Sequence, residues 1–260
     1  MMKSLAIAVL FAFPAAAAQA ADLVLVVGGT GKTGWETVKE AMAQGYDVRA
    51  TTTNAKRAEE RYGADGFSWV EMDARIVDEV RAAMGGVDYV ISTLGGSCFD
   101  PGGPSSPRYV DYQGVINMAG VAGMLGVKHF VLTSSIGAGV ASQPLNQFCD
   151  NVVMWKWLGE DYLRDGDMPY TIIRPGGLGE DEGGKTGITL AGDGGLETGF
   201  IQRADVAKVL VASLGNDDAA GKTIEIVGNP AGKPDDWRDD FAAIPADAAQ
   251  RPPLSPEMAE

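Results

Sequence analysis

Leu23-Val24-Leu25-Val26-Val27-Gly28-Gly29-Thr30-Gly31-Lys32-Thr33-Gly34 is the stretch that decides the fold. Its first five residues form a continuous apolar run, the pattern of a strand buried on both faces of a sheet. Gly28, Gly31 and Gly34 then sit three apart, and a helical pattern follows to about Gln44. Strand, glycine loop and helix in this order make a dinucleotide-binding fingerprint. Such glycines allow a tight turn, a close approach of backbone to pyrophosphate, and close packing of helix on strand. The first turn of the helix offers free N–H groups to the phosphates. Thr30, Lys32 and Thr33 share this turn with the glycines and are candidate cofactor contacts. The loop is not a Walker motif, because Lys32-Thr33 lacks an upstream glycine at the required spacing.

Downstream, apolar runs and amphipathic segments keep alternating. Strands are expected at 46–51, 67–71, 87–93, 129–133, 170–173 and 223–227. Helices are expected at 55–62, 76–84, 109–125, 151–164 and 205–214, with glycine-rich loops at 95–107 and 176–199. This is an α/β, Rossmann-type doubly wound parallel sheet. One nucleotide-binding domain over 22–228 is expected, followed by a small C-terminal extension, 229–260. In that extension Trp237 and Phe241 anchor a short helix, and the last ten residues are expected to be disordered.

The 260 residues suit one such domain. Acidic residues outnumber basic ones 35 to 21, for a net charge of −14, and no basic cluster offers a footprint for nucleic acid or anionic lipid. Residues 1–20 carry Lys3, an apolar run from Leu5 to Phe13, and Ala18-Gln19-Ala20, the pattern of a cleaved export signal. The run is too short to span a bilayer. A periplasmic or secreted protein is therefore expected, or a cytoplasmic one if the N-terminus is not processed. In an oxidising compartment Cys98 and Cys149 could pair, since both fall in loops at the C-terminal edge of the sheet.

The end of the second strand bears on cofactor choice. NAD sites place an acid there for the ribose 2′-hydroxyl. Here the strand runs into Thr51-Thr52-Thr53-Asn54-Ala55-Lys56-Arg57, with no carboxylate. Lys56 and Arg57 could instead meet a 2′-phosphate, so NADP is favoured over NAD.

The glycine loop, Val110-Asp111-Tyr112-Gln113-Gly114, Gly126-Val127-Lys128-His129-Phe130-Val131-Leu132-Thr133-Ser134-Ser135, Tyr170-Thr171-Ile172-Ile173-Arg174-Pro175-Gly176-Gly177-Leu178 and Arg203-Ala204-Asp205-Val206-Ala207 extend the pattern. Together they resemble the atypical short-chain dehydrogenase/reductase group with an NAD(P)H-binding domain, which includes NmrA-like regulators and flavin or biliverdin reductase-like enzymes. The resemblance runs from about Leu23 to Gly228. It implies that Asp73 and Ala74 lie beside the adenine, that Thr93, Leu94 and Gly95 line the dinucleotide, and that Ser134, Pro175 and Gly176 stand near the nicotinamide. Many relatives carry an arginine for the 2′-phosphate where this chain has Thr53.

The enzyme pattern Tyr-x-x-x-Lys is incomplete. Lys156 is present, but Val152 stands four residues earlier. Residues i and i+4 share a helix face, where an ammonium would lower a phenol's pKa and ready it as an acid. Valine cannot serve so. Lys156 remains a candidate for a hydrogen bond to the nicotinamide ribose. Ser134 and Tyr112 are the other catalytic candidates, with Tyr109, Cys149 and Asp150 as further proton donors. His129, the single histidine, opens a strand and is expected to be structural. One histidine and two cysteines make no zinc cluster, and no nucleophile elbow is present.

The expected function is NADPH-dependent oxidoreduction of a small molecule, with flavin- or quinone-like acceptors favoured because solvent can protonate their products. The alternative is a non-catalytic NADP(H)-binding sensor or assembly factor. The sequence does not give the oligomeric state.

Overall fold

The computed structural model describes residues 21–248. The expected export signal and the last ten residues lie outside them.

Eight strands form one sheet in the order β3-β2-β1-β4-β5-β6-β10-β8. These are β1 (Leu23–Val27), β2 (Asp47–Thr52), β3 (Phe67–Glu71), β4 (Tyr89–Ser92), β5 (His129–Thr133), β6 (Tyr170–Pro175), β8 (Gly187–Gly192) and β10 (Lys222–Asn229). All neighbours run parallel except β8, which pairs antiparallel with β10. Two three-residue strands, β7 (Gly177–Gly179) and β9 (Phe200–Gln202), pair separately. The short strands β7 and β8 lie within 176–199, where only a glycine-rich loop is expected from sequence.

Alternation along β1 explains the layers. Val24 and Val26 point into one core with Val38 and Ala41 of α1 (Lys32–Ala43) and with Val206, Val209 and Leu210 of α7 (Arg203–Ala212). Leu25 and Val27 point into the other, with Val80 and Met84 of α3 (Val77–Met84) and Val115 and Met118 of α4 (Gly114–Leu125). The short α2 (Ala55–Tyr62) links β2 to β3, a four-residue α5 (Leu145–Phe148) lies between β5 and β6, and α6 (Val152–Arg164) packs beside α4. Helix α4 is entered through a π-helical turn, Arg108–Gln113.

The extension is folded onto the domain as far as Ala248. A 3₁₀ helix, Asp236–Ala243, buries Trp237 and Phe241 in the α1/α7 core. Lys222 Nζ donates to the Phe241 carbonyl at 2.9 Å, and Asp247 accepts from the Thr223 amide at 2.8 Å. Its aromatic pair gives this segment a place on the core that its Pro, Ala and Asp content hides.

Strand order reverses between β1 and β4, and in such sheets the crevice at the C-terminal strand ends takes the ligand.

Candidate dinucleotide site

The glycine loop lies in that crevice. Gly28 holds φ +79°, a conformation that side chains disfavour. Its amide donates to Thr51 Oγ1 at 3.1 Å, tying the loop to β2. A Cβ at Gly34 would meet the Gly28 carbonyl oxygen at 2.1 Å, so only glycine lets α1 start this close to the turn. Thr93 and Leu94 close the other wall, both within 3.2 Å of a Cβ built on Gly28. Gly95 beside them is exposed. This is a cradle for a pyrophosphate, and the residues present fit it.

Two loop side chains turn elsewhere. Lys32 forms an exposed ion pair with Glu180. Buried Thr33 accepts from the Arg203 guanidinium at 2.8 Å.

Beside Thr30 of the glycine loop, Thr52, Thr53, Asn54, Arg57 and Arg61 line a cleft of about 180 Å³ with Ala58 and Tyr62. Asn54 caps α2 by accepting from the Arg57 amide at 2.8 Å. The Tyr62 hydroxyl donates to the Thr30 carbonyl at 3.1 Å, joining the cleft floor to the glycine loop. Lys56 does not line the cleft. Arg61 does, and the sequence signal for it was present: it stands four residues after Arg57, on the same face of α2. After β3, the Asp73 carboxylate is held by Arg75, whose hydrogen bonds keep it below the usual carboxylate range. Ala74 is buried, its carbonyl accepting from Asn117 at 2.9 Å.

Of the residues expected near the nicotinamide, Lys156 and Ser134 border one small cavity with Thr133, Leu94 and Asp111. Lys156 Nζ lies 2.6 Å from Asp111 Oδ1, and Asp111 Oδ2 accepts from the Gly96 amide at 2.7 Å. Asp111 was missed in the sequence because its partners lie 45 and 15 positions away. Pro175 ends β6 and Gly176 follows it, the Pro175 carbonyl accepting from the Ile136 amide at 3.0 Å. Tyr112 is not in this cavity and leans on Trp155, ring centroids 5.9 Å apart.

Cys98 and Cys149 form a disulfide. With Val152 and Val153 they make a separate apolar cluster. Val152, in the tyrosine's place, is thus packed against sulfur. Cys149 has no proton to give, and Asp150 accepts from the Gly102 amide at 3.0 Å. Buried His129 bonds Thr171 Oγ1 through Nε2 at 2.9 Å and accepts from the Gly215 amide. Burial lowers its pKa, as expected of a neutral structural histidine.

Beneath Ser134 lies a buried charge network. Glu160, one turn after Lys156, binds the Arg174 guanidinium at 2.9 and 2.6 Å and Arg164 at 2.7 Å. Burial pushes the Glu160 carboxyl up, but Arg174 and Arg164 outweigh it and hold the group ionised.

The family model described as NAD(P)H-binding matches residues 28–217. The chain belongs to this NAD(P)H-binding family. It is 32% identical to the chloroplastic protein TIC 62 of Pisum sativum over 79% of the chain, spanning 43% of that protein. It is 39% identical to sanguinarine reductase of Eschscholzia californica over 48% of each chain. The chain thus spans less than half the length of either relative. A solved structure titled ChuY, an anaerobillin reductase from Escherichia coli O157:H7, superposes with TM-score 0.65 and 27% identity, covering 82% of this chain and 97% of that one. The proteins this chain is similar to thus include two named as reductases and one whose name states no reaction. Among the described residues, no helix is long and apolar enough to cross a membrane.

Proposed function

We propose that the protein is an NADPH-dependent reductase of small conjugated acceptors, flavin- or quinone-like, rather than of simple ketones. One observation carries this reading: Lys156 and Ser134 border the same small cavity while the tyrosine position holds Val152, which shares an apolar cluster with the disulfide. A ketone needs a proton for its developing alkoxide, a donor typically worth ~10²–10⁴-fold. A flavin or quinone delocalises the incoming charge and draws its proton from solvent. The cofactor supplies the hydride. Gly28, Gly31 and Gly34 cradle its phosphates, Arg57 and Arg61 receive the 2′-phosphate, and Lys156 orients the nicotinamide ribose. The relatives named as reductases support a catalytic role, and the disulfide supports an oxidising compartment, in line with the export pattern.

Steady-state NADPH oxidation with a ketone panel beside a flavin and quinone panel tests the reading. Turnover confined to the second panel is expected, and brisk ketone reduction would overturn it. In the same assay Arg57→Ala/Arg61→Ala should raise KM for NADPH at least tenfold and leave KM for NADH nearly unchanged. Tight NADPH binding without turnover on any acceptor would instead favour a sensor, a reading that Val152 also permits.

A further inference from the structure

The disulfide joins two loops that each support the Lys156–Asp111 pair. Cys98 is half-buried after β4, with exposed Phe99 beside it, whereas Cys149 is buried before α6. Two positions before Cys98, the Gly96 amide is held by Asp111. Just after Cys149, Asp150 and Asn151 hold φ +46° and +56°, left-handed values rare for residues with side chains. Such backbone persists only where its surroundings fix it. Here the fixing groups are the disulfide, the Gly102–Asp150 hydrogen bond, and Asn146, whose side chain accepts from the Val153 amide at 3.2 Å. Helix α6 starts at the next residue and carries Lys156. One covalent bond thus fixes the loop that Asp111 holds and the entry of the helix that carries Lys156.

We propose that Cys98–Cys149 is a redox latch on the dinucleotide site: the oxidised protein binds the dinucleotide tightly and the reduced protein binds it weakly. The proposal rests on the reading that Lys156 borders the nicotinamide half of the site. The reductant is a dithiol. Its thiolate attacks the more accessible Cys98 sulfur, the disulfide breaks, and Cys149 leaves as thiolate and takes a proton. The second thiol of the reductant then displaces Cys98 from the mixed disulfide, and the reductant departs as its own cyclic disulfide. Two electrons and two protons pass to the cysteines, and a disulfide oxidant reverses the exchange. Reduction frees both loops, and ordering them again opposes binding.

Coupling of this kind is reciprocal. If oxidation tightens binding about tenfold, bound dinucleotide makes the disulfide harder to reduce by the same factor, about 30 mV for a two-electron couple. The probe is NADP⁺, titrated calorimetrically into oxidised protein, dithiothreitol-reduced protein and reoxidised protein. Thiol content across dithiothreitol redox buffers, with and without saturating NADP⁺, gives the midpoint. The expected results are affinity about tenfold weaker on reduction, recovery on reoxidation, and a midpoint about 30 mV more negative with NADP⁺. Cys98→Ser/Cys149→Ser should bind as the reduced protein does, with or without reductant. If that variant does not fold, the cycle on wild-type protein decides, with far-UV circular dichroism confirming that reduction leaves it folded. Equal affinities in both redox states, or an unmoved midpoint, would overturn the latch and leave the dinucleotide site standing. Absence of NADP⁺ binding by oxidised protein would overturn the reading of the site itself.

Discussion

Lys156 Nζ sits 2.6 Å from Asp111 Oδ1, and the Asp111 side chain is only 1% exposed. The pair is therefore a buried contact between α6 and the π-helical turn before α4, and it borders the small cavity that Ser134 also lines. Removing one partner of such a pair leaves an uncompensated charge. Lys156→Ala is expected to destabilise the fold by about 3 kcal/mol in urea denaturation and to weaken dinucleotide binding. Lys156→Ala/Asp111→Asn should recover part of the stability but not the binding. Full recovery of both would mean that Lys156 serves Asp111 alone.

Gly34 tests the phosphate cradle. A Cβ there would lie 2.1 Å from the Gly28 carbonyl oxygen, a backbone atom that cannot swing away. Gly34→Ala is expected to push α1 from the loop, lowering stability by about 2 kcal/mol and abolishing detectable NADPH binding. Gly45, with nothing within 4 Å of a built Cβ, is the control for space, although its φ of +87° makes alanine there mildly strained. NADPH affinity unchanged in Gly34→Ala would mean that the crevice is not where the phosphates sit.

The family resemblance implies an arginine for the 2′-phosphate where this chain has Thr53. Thr53 lines the same cleft as Arg57 and Arg61. Thr53→Arg is expected to bring a third guanidinium to the 2′-phosphate and tighten NADPH binding roughly tenfold, with little effect on NADH. Parallel calorimetric titrations with the two nucleotides would show it. An equal gain for both would point to general electrostatic attraction instead.

Much of this was legible in the sequence because parallel strands are apolar on both faces and glycine loops have fixed spacing. Pattern alone bounds 23–27, 67–71 and 129–133 as strands, and the structure bounds them likewise. Strand β8, Gly-Ile-Thr-Leu-Ala-Gly, was hidden by the glycines at both its ends and by its antiparallel pairing at the sheet edge. The site divides the same way. Gly28, Gly31 and Gly34 act through backbone geometry, which local spacing encodes. Asp111, Glu160 and Arg174 act through partners brought near by the fold, which no local window contains.

Glu160 offers the test of that last group. Val152, Lys156 and Glu160 stand four apart on α6 and share one face. Val152 joins the disulfide's apolar cluster, Lys156 meets Asp111, and Glu160 meets Arg174 and Arg164. Although burial raises the Glu160 carboxyl pKa, the two arginines outweigh it, so the folded-state pKa lies below the ordinary value. A depressed carboxyl contributes stability above its unfolded pKa, about 4.3, and that contribution is lost as pH falls through the folded value. Glu160→Gln leaves two buried guanidiniums facing a neutral amide. It is expected to cost about 3–5 kcal/mol at pH 7. The gap from wild type should narrow as the pH falls below the unfolded carboxyl's pKa, about 4.3, because the unfolded chain then takes up a proton that the folded carboxylate resists. Denaturant unfolding of both proteins from pH 7 to pH 3 measures this directly. A gap that stayed constant with pH would show that the loss is one of packing, and that the ionised carboxylate between Arg174 and Arg164 is not what holds β6 to α6.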